Sequence, residues 1–173
     1  MQTRREKNPL GQPLSACSGT GVFVGYASLF GVRDASGDTV MPGAFAASLK
    51  ARPAAHIRML FQHDPAEPVG TWLEMIENER GLYVRGRLDA NVQRGRELLS
   101  LLETRGLDGL SIGFKTVSAM REKNTGTRLL LKVDLWEVSL VTFPMLRGAR
   151  VSELKRQAQT EAARIFQTPN RRL

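Results

Sequence analysis

Apolar and polar positions alternate along much of this chain, and that alternation predicts strands more often than helices. From Gly21 to Phe30 the run Gly-Val-Phe-Val-Gly-Tyr-Ala-Ser-Leu-Phe is β-branched and aromatic, which predicts a strand. A turn-forming cluster, Arg33-Asp34-Ala35-Ser36-Gly37-Asp38, follows it. Ala46 to Ala51 reads as a short helix stopped by Arg52-Pro53. Ile57 to Phe61 is a compact apolar run leading into Gln62-His63-Asp64-Pro65, where Asp64-Pro65 predicts an immediate turn. Val69 to Glu77 and Gly81 to Leu88 read as two strands joined by a polar turn, Asn78-Glu79-Arg80. In the second, Leu82, Val84, Gly86 and Leu88 share one face, with Tyr83, Arg85 and Arg87 on the other.

Asn91 to Arg105 switches to helical spacing, with Leu98, Leu101 and Leu102 on one side and Gly106 as its stop. Phe114 to Met120, Leu129 to Val133 and Leu135 to Phe143 read as extended, and Val151 to Phe166 as a charged helical tail. The sum is a mixed, β-rich (α+β) domain with a few helices, most naturally a closed or nearly closed sheet. The organisation expected is a flexible lead-in over 1–18, a domain over 19–151 and a basic helical tail over 152–173.

Composition narrows the class. A length of 173 residues suits one domain with a sizeable core, and the 42% apolar share is that of a folded protein. No apolar run approaches a membrane span, and the charged N-terminus lacks the apolar segment of a secretory signal. A lone cysteine, Cys17, excludes an internal disulfide and suits a reducing, cytosolic setting. The net charge of +8 is concentrated at the ends: residues 147–173 carry seven Lys or Arg against two Glu. Residues 1–10 carry three basic residues against one acid, which leaves the body near neutral. Such ends touch an anionic partner or stay solvated, so neither membrane association nor specific nucleic-acid binding is expected.

The chemistry centres on Gly109-Leu110-Ser111-Ile112-Gly113, a hydroxyl flanked by glycines. A serine hydroxyl is a weak nucleophile until a neighbouring base accepts its proton, and the chain has two histidines, His56 and His63. An α/β-hydrolase elbow requires a strand before the serine, a helix after it, and the order Ser, acid, His. Here a helix precedes, an extended segment follows, and both histidines lie upstream, so that fold is excluded. His63 ends an apolar run that can deliver it to a rim, whereas His56 follows Pro53-Ala54-Ala55 and reads as a surface residue. The candidates for a third group that orients the imidazole are Asp64, Asp134 and Glu137. Glu137 leads because it sits inside an apolar run, where a carboxylate needs a partner or a site. Two histidines and Cys17 form no metal-ligand spacing, and no cofactor is expected.

These blocks, taken in order, resemble the prohead serine proteases of tailed bacteriophages, relatives of the herpesvirus assemblins. The resemblance runs from about Gly21 to Val151. It rests on Gly25-Tyr26-Ala27, Pro42-Gly43-Ala44-Phe45, Leu60-Phe61-Gln62-His63-Asp64-Pro65, Gly106-Leu107-Asp108-Gly109-Leu110-Ser111-Ile112-Gly113-Phe114, and Asp134-Leu135-Trp136-Glu137-Val138-Ser139-Leu140-Val141-Thr142 with Pro144. It implies an assemblin-like β-barrel surrounded by helices, with Ser111 as nucleophile, His63 as base and Glu137 as third member. It also implies a substrate, the scaffolding segment of the major capsid protein, cleaved inside the prohead in the bacterial cytoplasm. Self-association and self-cleavage near the C-terminus go with it. Two other readings stand beside it, a non-catalytic capsid-assembly module with basic tails and a small esterase.

Overall fold

The computed structural model describes residues 21–156. The strands are β1 (Gly21–Leu29), β2 (Asp38–Val40), β3 (Arg58–Phe61), β4 (Asp64–Glu77), β5 (Gly81–Leu88), β6 (Gly109–Arg121), β7 (Arg128–Val141) and β8 (Val151–Arg156). Two helices, α1 (Ala46–Ala51) and α2 (Gln93–Glu103), and a single 3-10 turn at Ala54–His56 complete the described residues. None of these helices is long and apolar enough to cross a membrane.

Burial explains why the strands sort as they do. In β5, Leu82, Val84, Gly86 and Leu88 face the core, as the alternation predicts, while Arg87 is exposed. Gly86 is a strand glycine because Met59, Trp72 and Phe23 converge where its side chain would stand. Phe23 and Trp72 meet edge to face at 5.5 Å between ring centroids, and both are fully buried. Side chains of this size each stabilise the fold by about 2–3 kcal/mol through removal of apolar area from water.

The sheet runs β2-β7-β3-β4-β5-β1-β8, with β6 on the other side of β7. β7 is the organising strand. Its last turn of pairing is parallel to β3, Arg58–Phe61 against Glu137–Leu140, and its first residues are parallel to β2. Along its whole length it pairs antiparallel with β6. The ladder is not closed into a barrel: β6 and β8 approach at one bridge, Gly109 with Arg150. Two hydrogen bonds flank that bridge, Leu110 N–H to Ala149 O at 2.9 Å and Val151 N–H to Asp108 O at 2.8 Å.

Four expectations need correction. Leu129–Val133 and Leu135–Phe143 are not two strands: β7 runs through Asp134, which pairs with Lys115, carries a bulge at Trp136 and ends at Val141. Val151–Arg156 is a strand paired with β1 and not the start of a helix. As an edge strand, β8 can leave Glu153 and Lys155 in water. α2 buries Leu98 and Leu102 but leaves Leu101 40% exposed. It ends at Glu103, and the left-handed stop is Arg105, with φ 57°, rather than Gly106. Gly106 N–H bonds Leu101 O and Arg105 N–H bonds Leu102 O, so a non-glycine residue takes the left-handed position of the helix stop. The lead-in over 1–18, Cys17 and the tail from 157 onward lie outside the described residues.

Candidate active site

The β3–β4 hairpin turns on two residues, Gln62 and His63, between the paired Phe61 and Asp64. Their φ values are 53° and 61°, the left-handed conformation that a two-residue hairpin turn with the sheet's own twist demands. Asn-Gly is the usual solution. For side chains like these the conformation costs on the order of 1 kcal/mol or more per residue, so surrounding bonds must hold it. They do. Gln62 N–H bonds Leu140 O at 3.0 Å, and Gln62 Nε2 bonds Thr142 Oγ1 at 2.8 Å. Thr142 N–H returns to Gln62 Oε1 at 3.3 Å, and His63 N–H bonds Ser139 Oγ at 3.2 Å. The turn therefore falls two residues earlier than Asp64-Pro65 predicts. Pro65 lies in an irregular stretch of β4, between the pairs Phe61–Asp64 and Leu60–Pro68, where no ladder bond asks for its N–H.

The partner of His63 comes from β7. Ser111 of β6 is registered with Ser139 of β7, and Gly113 with Glu137, so all four share one face of the sheet. Glu137 crosses that face to His63: His63 Nδ1 lies 2.5 Å from Glu137 Oε1. The other carboxylate oxygen, Oε2, accepts the Ser139 hydroxyl at 2.6 Å. Glu137 is only 13% exposed, and both of its oxygens are satisfied. Gly113 makes this crossing possible, since any side chain there would overlap the Glu137 carboxylate.

Ser111 itself is 4% exposed. Among the described residues nothing hydrogen-bonds its hydroxyl, His63 included. It lines a cavity of about 270 Å³ together with Ala27, Leu29, Val40, Phe114 and Met145, rimmed by Asp38 and Arg128.

The electrostatics suit a base. The hydrogen bond His63 donates to Glu137 raises its pKa above the ordinary 6.5, partial burial opposes the rise, and the carboxylate's charge adds to it. A carboxylate only accepts, so in the neutral ring Nδ1 carries the proton and Nε2 keeps a free lone pair. The other two carboxylates considered are engaged elsewhere. Asp64 accepts Ala66 N–H at 2.8 Å. Asp134 holds Arg52 at 3.3 Å and the Trp136 indole N–H at 2.6 Å. His56 is exposed, as read from the sequence.

Three residues of the site escape a sequence reading centred on nucleophile, base and acid: Gln62, Gly113 and Ser139. One signal was available. Ser139 stands two residues beyond Glu137 in an apolar strand, which places it on the same face.

The family model of the caudovirus prohead serine proteases matches residues 12–163. The prohead protease of Enterobacteria phage HK97 is 34% identical over 137 residues, covering 78% of this chain and 60% of that protein. The prohead protease of Escherichia phage T5 is 29% identical over 86 residues, covering 50% of this chain and 40% of the relative. The chain therefore spans about three fifths and two fifths of the length of these curated relatives. Among solved structures, the bacteriophage T4 capsid assembly protease superposes with a TM-score of 0.58 at 15% identity, covering 71% of this chain and 82% of that one. A Kaposi's sarcoma herpesvirus protease superposes with a TM-score of 0.52 at 17% identity, covering 76% and 63%. At these identities the likeness is one of fold.

Proposed function

We propose that this chain, which belongs to the caudovirus prohead serine protease family, is the endopeptidase that cleaves the scaffolding segment of the major capsid protein inside the prohead. The observation that carries the proposal is the His63–Glu137 pair, held on the sheet face that also presents Ser111, whose hydroxyl no described residue hydrogen-bonds. The likeness in fold to the T4 and herpesvirus proteases supports an assemblin-like fold, its sheet open among the described residues apart from the Gly109–Arg150 bridge.

In this mechanism Ser111 Oγ attacks the scissile carbonyl while His63 Nε2 takes its proton. Glu137 stays ionised and holds the imidazolium through Nδ1. The proton then passes from Nε2 to the leaving amine, the peptide C–N bond breaks, and an acyl-enzyme on Ser111 remains. Water, deprotonated by His63, hydrolyses that ester and restores the serine. Backbone N–H groups near Ser111 are the economical source of oxyanion stabilisation. The mainly apolar cavity beside Ser111 accepts a substrate side chain next to the scissile bond.

The sequence beyond β8, which carries Arg164, Arg171 and Arg172 against Glu161, serves as a targeting or self-cleaved region, and the enzyme works in the host cytoplasm within assembling particles. The deciding experiment co-expresses the full chain with its capsid protein and compares Ser111→Ala and His63→Ala by gel. Both variants should fold and leave the capsid protein uncut. Processing at the normal rate by Ser111→Ala would return the non-catalytic assembly module to first place.

A further inference from the structure

Ser139 is fully buried on β7 between Val138 and Leu140, which belong to the core. A hydroxyl in that setting needs partners, and the two it has are both parts of the site. Its oxygen accepts the backbone N–H of His63 at 3.2 Å, and its single proton goes to Glu137 Oε2 at 2.6 Å. One atom thus joins the left-handed turn that carries His63 to the carboxylate that His63 addresses. From β3 and β7 alone the His63 ring and Glu137 would be two separately mobile side chains. With Ser139 between them, the turn's backbone and the carboxylate's second oxygen share one anchor. The proton of Ser139 is committed to Glu137, so it does not donate to the serine registered opposite it, Ser111.

We infer that Ser139 is a positioning residue for proteolysis: it fixes His63 relative to Glu137 and thereby aims Nε2 at Ser111. That role rests on the proposed assignment of Ser111 as nucleophile and His63 as base. A space-filling serine would be replaceable by alanine or cysteine. A positioning serine is not, because alanine lacks the hydroxyl and a thiol is a weak donor of nearly the right size. Misplacement of about 1 Å in such a constellation costs up to about a hundredfold in rate.

The test is a double-mutant cycle on the full chain, with purified capsid protein as substrate. Ser139→Ala and Ser139→Cys should each lower kcat about tenfold or more, with KM held within about twofold. In a Glu137→Ala background the same substitutions should cost less than about twofold, since no carboxylate remains to be held. Circular dichroism and melting temperature check folding, and the cysteine variant keeps the volume if alanine loosens the core. Unchanged kcat in the cysteine variant overturns the inference, and so does an equal loss with and without Glu137. In either case inactive Ser111→Ala would leave the protease assignment standing. Normal cleavage by Ser111→Ala would remove both.

Discussion

Gly113 lies directly beneath the Glu137 carboxylate, which occupies the space a side chain at 113 would take. The second glycine of Gly-Leu-Ser-Ile-Gly is therefore not a hinge for the serine. It is the gap through which a carboxylate on β7 reaches a histidine on the β3–β4 turn. Its own φ is not left-handed, so sterics and not backbone freedom explain the residue.

Gly113→Ala should accordingly lower capsid-protein cleavage about a hundredfold while the fold persists. A methyl in a strand interior is favourable for the backbone by about 0.5–1 kcal/mol, which offsets part of the overlap. The carboxylate is the mobile partner and would be pushed off His63. Kinetics and urea unfolding on the same variant check both halves. A protein that melts normally and cleaves normally would show that Glu137 need not cross at this point.

The pH dependence has a defined sign. With His63 as the proposed base, cleavage needs it neutral, and Glu137 raises its pKa above 6.5, so the acidic limb of kcat/KM should have its midpoint above 6.5. Replacing Glu137 with Gln should move that limb to lower pH and reduce the plateau about 10²–10⁴-fold. Stability runs the other way. A raised folded-state pKa contributes stability that is fully present below about 6.5 and is lost as pH rises through the folded value. The melting-temperature gap between the wild type and Glu137→Gln should therefore shrink from pH 6 to pH 9 while activity grows. A gap that widens with pH would contradict the pairing.

How much of this could be read beforehand varies with how local the cause is. The β5 alternation, and α1 with its stop at Arg52-Pro53, are local, and the structure follows them. The turn at Gln62-His63 was misplaced because neither residue signals a left-handed turn. Bonds from Leu140, Thr142 and Ser139, remote in sequence, hold it. β8 does not announce itself, because its charges, tolerable on an edge strand, resemble those of a solvated tail. The members of the candidate site are legible as residue types, but their meeting is not. His63 and Glu137 are 74 residues apart, joined by a parallel β3–β7 register that no local pattern announces.

The hairpin tip predicts a separation of stability from activity. Gln62→Gly removes the cost of one left-handed side chain, on the order of 1 kcal/mol, but also removes the two side-chain bonds to Thr142. Each such bond is worth about 0.5–1.5 kcal/mol net, and at the low end, where these two exposed bonds belong, the two changes nearly cancel. Unfolding free energy should stay within about 1 kcal/mol of the wild type. Cleavage should fall about tenfold, because the freed tip no longer presents His63 in one place. Chemical denaturation and capsid-protein cleavage, measured side by side, test the separation.

Asp38 and Arg128 make the last case, at the rim of the cavity that Ser111 lines. They face each other across the parallel β2–β7 ladder, and the guanidinium grips both carboxylate oxygens, with Nε to Oδ1 at 2.8 Å. The pair is lopsided: Asp38 is 8% exposed at its side chain, whereas Arg128 is 44% exposed. Removing the half-solvated cation therefore strands a buried anion. Arg128→Met should destabilise the fold by about 2 kcal/mol, below the 3–5 kcal/mol typical of fully buried pairs because water already reaches the arginine. Asp38→Asn alone keeps one of the two bonds from the guanidinium, through its amide oxygen, and leaves no buried charge, so it should cost less. The double variant Asp38→Asn with Arg128→Met should be more stable than Arg128→Met alone, since no charge is left unpaired. Urea unfolding of the three variants decides it: a double variant less stable than Arg128→Met would mean that packing, and not the stranded charge, sets the cost.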